Sequence, residues 1–167
     1  GRHLAVEADV VELIGATAGV AAEGGVVAVV GHGAAMVAVV DGLEVFESPH
    51  WFLNLLQNGM DGEEASGTHI CVVKNDQQMV AGLPFLQLKN RKNGIRSLSN
   101  YYSSLYGMVG DCRRLNADDW QTLGSVFRKQ SSGSVIRLDP LEKDGPFIRG
   151  MRAGLKAAGY WTDDFFC

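Results

Sequence analysis

Apolar and polar positions change their rhythm near Ser48, and the chain is best read in two parts. Residues 1–47 are dominated by glycine, alanine and valine, which fit either helix or strand. They predict a helix from about Val6 to Ala22, followed by a valine hairpin across "GGVVAVVGHGAAMVAVV". That run holds 17 residues between Glu23 and Asp41 and is broken by Gly31-His32-Gly33. It falls at the short limit for a membrane span and reads better as two strands joined by a glycine turn.

From Ser48 onward the punctuation is clearer. In "ESPHWFLNLLQNG", Ser48 is a natural N-cap and Pro49 suits the first helical position, where its missing N–H costs nothing. Phe52, Leu55 and Leu56 share one helical face, and Gly59 follows the last turn. "THICVVK" and "QMVAGLPFLQLK" read as a hairpin about Asn75-Asp76-Gln77, with Pro84 marking an edge or a bulge. Asn93-Gly94 is a tight-turn signal, and "IRSLSNYY" should leave it extended. Asn116 or Asp118 caps a helix carrying Trp120, Leu123, Val126 and Phe127. "SVIRLDPL" predicts a short strand. Pro146 opens a helix that places Phe147, Met151 and Leu155 together and ends before Gly159, and "YWTDDFFC" reads as a final strand. Consecutive strands followed by alternation with helices predict an α/β domain, a mixed sheet flanked by helices, over residues 48–167.

Composition narrows the class. The chain has 167 residues, enough for one domain with a real core. Three widely spaced cysteines, Cys71, Cys112 and Cys167, form no CxxC pair and no Cys/His cluster, so neither a disulfide framework nor a metal site is expected. A reducing compartment, the cytoplasm, is the expected location. The net charge of −4 is unevenly spread. Residues 1–48 carry one basic side chain against seven acidic ones, and the remainder is close to neutral, which argues against a nucleic-acid binder. The opening "GRHLAVEADVVELIG" is too acidic for a secretory signal, and no stable membrane insertion is expected. The absent initiating methionine and the terminal "DDFFC" suggest an excerpt of a longer protein.

Recognised catalytic motifs are missing: there is no GxSxG, HExxH, Walker or GxGxxG pattern. Four histidines have no spaced partner, and His50 and His69 read as structural. The neighbours Asp118-Asp119 and Asp163-Asp164 point in different directions and read as caps or solvated faces. Asp139 before Pro140 reads as a turn former. Lys89, Arg91, Lys92 and Arg96 could meet phosphates, but no aromatic residue interleaves them, and a solvated hairpin tip explains them as well.

The distinctive stretch is "SLSNYYSSLYG", Ser97 to Gly107. It contains three of the four tyrosines, four serines and an asparagine, and no charge. Rings bearing hydroxyls, beside amides, suit neutral polar ligands such as sugars or peptides. Asn100, Tyr101, Tyr102 and Tyr106 are therefore the candidate substrate-binding residues. On a strand Tyr101 and Tyr102 would face opposite sides, one of them in the core.

Five stretches in order, "SPHWFLNLLQNG", "MVAGLPFLQLK", "IRSLSNYYSSLYG", "VIRLDPL" and "GLKAAGYWTDDFFC", carry a family resemblance. Over about Ser48 to Cys167 the chain resembles the cellulose- and exopolysaccharide-associated acetyltransferases of the CelD/BcsL type. These are FemAB-like members of the GNAT, or acyl-CoA N-acyltransferase, superfamily. The resemblance covers what would be the N-terminal half of a tandem enzyme. It implies a GNAT-like fold, acetyl-CoA or another acyl-CoA as co-substrate, and acyl transfer to an amine or hydroxyl in polysaccharide or cell-envelope synthesis. It also implies a strand splayed at "GLPF" and a missing partner half; the final strand read at "YWTDDFFC" would leave an unfinished edge near Phe165 and Phe166, suited to pairing with that half or to self-association. The superfamily's glycine-containing cofactor loop has no counterpart: "RKNGIR" precedes a strand, and "RGMRAG" has the wrong spacing and lies within a helix. No catalytic base is identified. The alternative from another class is a non-catalytic glycan- or peptide-binding module using the tyrosine stretch.

Overall fold

The computed structural model describes residues 6–12, 20–23, 26–31, 34–39, 45, 48–61, 67–75, 78–88, 94–131 and 135–165. Before residue 48 it contains strands, where a helix had been expected over 6–22. These are β1 (Val6–Glu12), β2 (Val20–Glu23), β3 (Val26–Gly31) and β4 (Ala34–Val39). The valine hairpin is present: β3 pairs antiparallel with β4, and β2 adds to β3. The first helix fails for a tertiary reason. "VEADVVE" finds a complete antiparallel partner in β5 (Thr68–Asn75), from Val6↔Asn75 to Glu12↔His69. Pairing across a sheet overrides a local sequence that tolerates either state. The main sheet therefore crosses position 47/48.

Strands β5, β6 (Gln78–Gln87), β7 (Ile95–Ser97) and β8 (Ile136–Arg137) form a mixed sheet, with β1 on its outer edge. The β5–β6 and β6–β7 pairs are antiparallel, and β7–β8 is parallel. Residues 81–86 of β6 are all buried, as are 70–73 of β5, so both faces of the sheet are covered. Helices supply much of that cover, which is the α/β arrangement expected. Helix α2 (Ala117–Gln130) lies against β1 and β5, and helix α3 (Pro146–Ala157) packs on α2. Helix α1 (Pro49–Asn58) contributes Phe52 and Leu55 to the core.

The helix boundaries follow their capping chemistry. The Ser48 hydroxyl accepts from the Trp51 amide at 3.2 Å, with Pro49 at the first helical position. At α2 the Asn116 side chain accepts from the Asp118 and Asp119 amides, and Asp119 returns a bond from the Asn116 amide at 2.7 Å. This reciprocal box settles the cap on Asn116 and gives Asp119 a structural role. Phe127, Leu123 and Trp120 are then buried from one face of α2. Helices α2 and α3 approach so closely that a Cβ at Gly124 or Gly154 would collide with the facing backbone, and one at Gly150 with the Trp120 ring. The four-residue Gly150–Gly154 spacing was the sequence signal for this contact.

One strand expectation is corrected and another is narrowed. "YWTDDFFC" forms no strand over residues 160–165; the chain turns at Gly159 (φ 86°) and runs back along α3, where Arg152 pairs with Asp164. Tyr160 packs on the core, with its hydroxyl bonded to Ser131 and the Arg128 guanidinium 5.0 Å from its ring centre. No unfinished strand edge thus exists at Phe165, and Phe166 lies outside the described residues. Pro84 marks no bulge, and on its outward side it falls at a local edge, one residue before the pairing of β6 with β7 begins at Phe85. The register of the β5–β6 pair shifts between Val73 and Lys74, while Pro84 sits opposite Ile70 within that pair.

Candidate functional site

Pro84 explains how the tyrosine stretch is anchored. Gly82 exchanges backbone bonds with Val109 (2.8 and 2.7 Å), so its amide and carbonyl point away from β5. By strand alternation Pro84 points the same way. Its missing N–H falls between Val109 and the end of β7, where no ladder bond is needed. The remaining acceptor, the Pro84 carbonyl, receives the Tyr106 hydroxyl at 2.6 Å. Tyr106 is 3% exposed. Its ring stands edge-on to Phe52 of α1 (6.4 Å) and Phe147 of α3 (6.0 Å), and Phe147 continues to Trp120 of α2 (6.2 Å). Burial, assisted by nearby Cys71, pushes the Tyr106 phenol well above its ordinary pKa. Tyr106 is therefore a fully engaged core residue, removed from the candidate ligand set.

Asn100 builds a turn that the sequence pattern had read as a strand. Its side-chain oxygen accepts from the Tyr102 amide at 3.0 Å, its carbonyl accepts from the Ser103 amide at 3.0 Å, and its amide donates to the Ser103 hydroxyl at 3.0 Å. An Asx turn of this kind reverses the chain within four residues. Tyr101 and Tyr102 occupy its two central positions and both point outward, at 96% and 78% exposure, with their rings perpendicular and 5.6 Å apart. Neither enters the core.

The turn stands on a fixed base. The Asn100 amide group donates to the Gly59 carbonyl at the end of α1 (3.1 Å). Ser97 and Ser99 donate to the Asp139 carbonyl (2.6 and 2.8 Å), and the Tyr106 amide donates to the Pro140 carbonyl (2.7 Å). The Asp139 carboxylate takes Arg137 at 2.9 Å and Ser97 at 3.3 Å, which makes it a turn-fixing group as expected. Of the four candidates the structure thus keeps Asn100, Tyr101 and Tyr102 together and assigns Tyr106 to the scaffold. Sequence reasoning missed the end of α1 at Gly59 as a support of this turn.

The other candidates disperse. His69 stacks on Phe85 at 5.6 Å, and its Nδ1 lies 2.9 Å from the Gly67 carbonyl, in keeping with a structural role. The side chain of His50 and all of Lys89, Arg91, Lys92 and Asn93 lie outside the described residues. "RGMRAG" is interior to α3. Among the described residues no group of three His, Cys, Asp or Glu side chains could hold a metal ion, and no helix is long and apolar enough to cross a membrane. The acyl-CoA expectation gains no recognisable loop from these residues. No family model, no curated protein and no solved structure matches the chain.

Proposed function

We propose that the chain is a recognition module whose Tyr101–Tyr102 turn binds a neutral polar ligand, a glycan or a peptide, without transforming it. The observation that carries this reading is the outward exposure of both rings on a turn braced by α1, β7 and the Asp139–Pro140 segment. Large rings held outward on a stiff base bind with little ordering cost. Chemical-shift mapping with panels of neutral oligosaccharides and uncharged peptides tests it. Saturable shifts centred on Asn100–Ser104 are expected; shifts confined to other surfaces would sink the reading.

A second reading, acyl transfer from acetyl-CoA or another acyl-CoA to an amine or hydroxyl, is supported by the five ordered stretches and by the mixed sheet flanked by helices. Here the tyrosine turn would contact the acceptor. Calorimetric titration with acetyl-CoA separates the two: saturable heat favours the transferase, and its absence from a folded chain that binds a neutral ligand favours the module.

A further inference from the structure

A basic lane runs along the outward side of α3, and a neighbouring segment of the chain already rests on it. Phe147, Met151 and Leu155 turn one side of the helix into the core. Arg149, Arg152 and Lys156, at intervals of three and four residues, therefore line up on the opposite side. Arg149 and Lys156 are exposed, and Arg152 is half-buried. After α3 the chain reverses at Gly159 (φ 86°) and is pinned at Tyr160, whose amide donates to the Leu155 carbonyl and whose hydroxyl meets Ser131. Beyond that pin a single tie holds it. Arg152 Nη2 donates to both Asp164 oxygens, at 2.5 and 2.6 Å, and residues 161–165 make no other hydrogen bond to the rest of the described chain. Trp161 and Phe165, on either side of the tie, are left in water. The Arg152 and Asp164 side chains are 35% and 45% exposed, so the tie shifts an equilibrium by about two- to fivefold. A contact this weak is open to exchange.

We infer that the outward face of α3 is a docking site for an acidic peptide segment, and that Asp164 covers it in cis. The inference goes beyond the tyrosine reading and shares no residue with it. The occupant in place is itself a carboxylate carried by a peptide, so the cover displays the chemistry of the partner. Asp164 uses one nitrogen of Arg152, and among the described residues nothing bonds the other N–H groups of Arg152 or the Lys156 ammonium. A further carboxylate finds a charged donor at each. The spacing also fits. Arg152 and Lys156 stand about 6 Å apart along the helix axis, and alternate side chains of an extended peptide stand about 7 Å apart. Broader anions fit less well. Asp163 on the segment, and Glu142 against Gly145 at the start of α3, would oppose a bilayer or a nucleic-acid backbone laid across the helix.

Fluorescence anisotropy of a labelled oligoglutamate peptide titrated with the whole chain tests the inference, with phosphatidylserine vesicles and a single-stranded oligonucleotide as rival anions. Saturable binding that weakens with added salt is expected. Asp164→Asn removes the cover and should strengthen binding about threefold. Asp118→Asn, on α2, removes the same charge elsewhere and should not. Within the Asp164→Asn chain, Arg152→Gln should weaken binding about fivefold and Lys156→Gln about twofold, with circular dichroism unchanged. Equal affinity of the wild-type and Asp164→Asn chains, or an equal gain from Asp118→Asn, would overturn the cover. Affinity that survives Arg152→Gln would remove the site from α3. Binding of vesicles or oligonucleotide without oligoglutamate would overturn the partner class. An Asp164→Asn chain that binds none of the probes would end the proposal and leave the tyrosine reading untouched.

Discussion

Tyr106 and the Tyr101–Tyr102 pair sit within six residues of one another and differ in almost every physical respect. At Tyr106 the hydroxyl has a buried partner, Pro84, and the ring is held between aromatic residues of α1 and α3. At Tyr101 and Tyr102 the backbone is constrained while the side chains are left to solvent. The same residue type thus holds the fold together in one place and remains available in the other. What separates them is the Asn100 turn, which commits the main chain and leaves the rings unspent.

The sharpest test of that division is Tyr106→Ala. It removes a ring held between α1 and α3 and leaves a buried carbonyl unpaired, and should cost about 4 kcal/mol in denaturant unfolding. A loss below about 1 kcal/mol would mean the ring is dispensable and the comparison is false. Gly154→Ala comes next, at about 3 kcal/mol, because the new methyl meets the Trp120 backbone carbonyl and pushes α3 away from α2. Moving α3 also withdraws Phe147 from Tyr106, so the change should be non-additive with Tyr106→Ala.

Tyr106→Phe isolates the hydroxyl and should cost about 1–2 kcal/mol, the penalty for leaving the Pro84 carbonyl unpaired. It also has a pH signature. The folded state raises the Tyr106 pKa, so the protonated phenol is favoured by folding. Its contribution is complete below the unfolded value of 10.0 and declines as pH rises above it. The wild-type chain should therefore lose stability above pH 10 more steeply than Tyr106→Phe. Parallel alkaline profiles would show the phenol to be less enclosed than the structure has it.

The tyrosine contrast also marks how far the sequence could be read. Helix starts at Ser48, Asn116 and Pro146 were legible because capping is local: a hydroxyl, an amide or a proline acts within four residues. The β5–β6 hairpin was legible from its alternating apolar runs. Strand β1 was not, since its state is decided by a partner about sixty residues away in sequence, a separation local propensity does not sense. The final "YWTDDF" has strand-like composition but pairs with no strand among the described residues and follows the Arg152–Asp164 ion pair instead. At the candidate site, residue types were readable and their roles were not. Whether a tyrosine is scaffold or surface depended on a turn at Asn100 and on a carbonyl left over at Pro84.

Asn100→Ala attacks the hinge between the two behaviours. It removes the Asx bond to Tyr102, the bond to Ser103 and the tie to Gly59, all at a partly exposed site, and should cost about 1 kcal/mol. Stability is the lesser readout here. The amide resonances of Tyr101 and Tyr102 should become more mobile while that of Tyr106 stays rigid, because Tyr106 is held from Pro84 and Pro140 independently. Loosening that spread to Tyr106 would show that the turn and the core act as one unit.

The smallest effect on folding belongs to Tyr101→Ala and Tyr102→Ala. Both side chains are exposed, so each substitution should change unfolding free energy by less than about 0.5 kcal/mol. That neutrality gives the pair its meaning. Two large rings left in water contribute little to the fold, and the turn beneath them is braced by bonds to α1 and to Ser103 that do not involve them. If both variants unfold like the wild type while losing a ligand, the rings are a recognition surface. If either loses more than about 1 kcal/mol, the rings are covering something in solution, and the contrast with Tyr106 becomes one of degree.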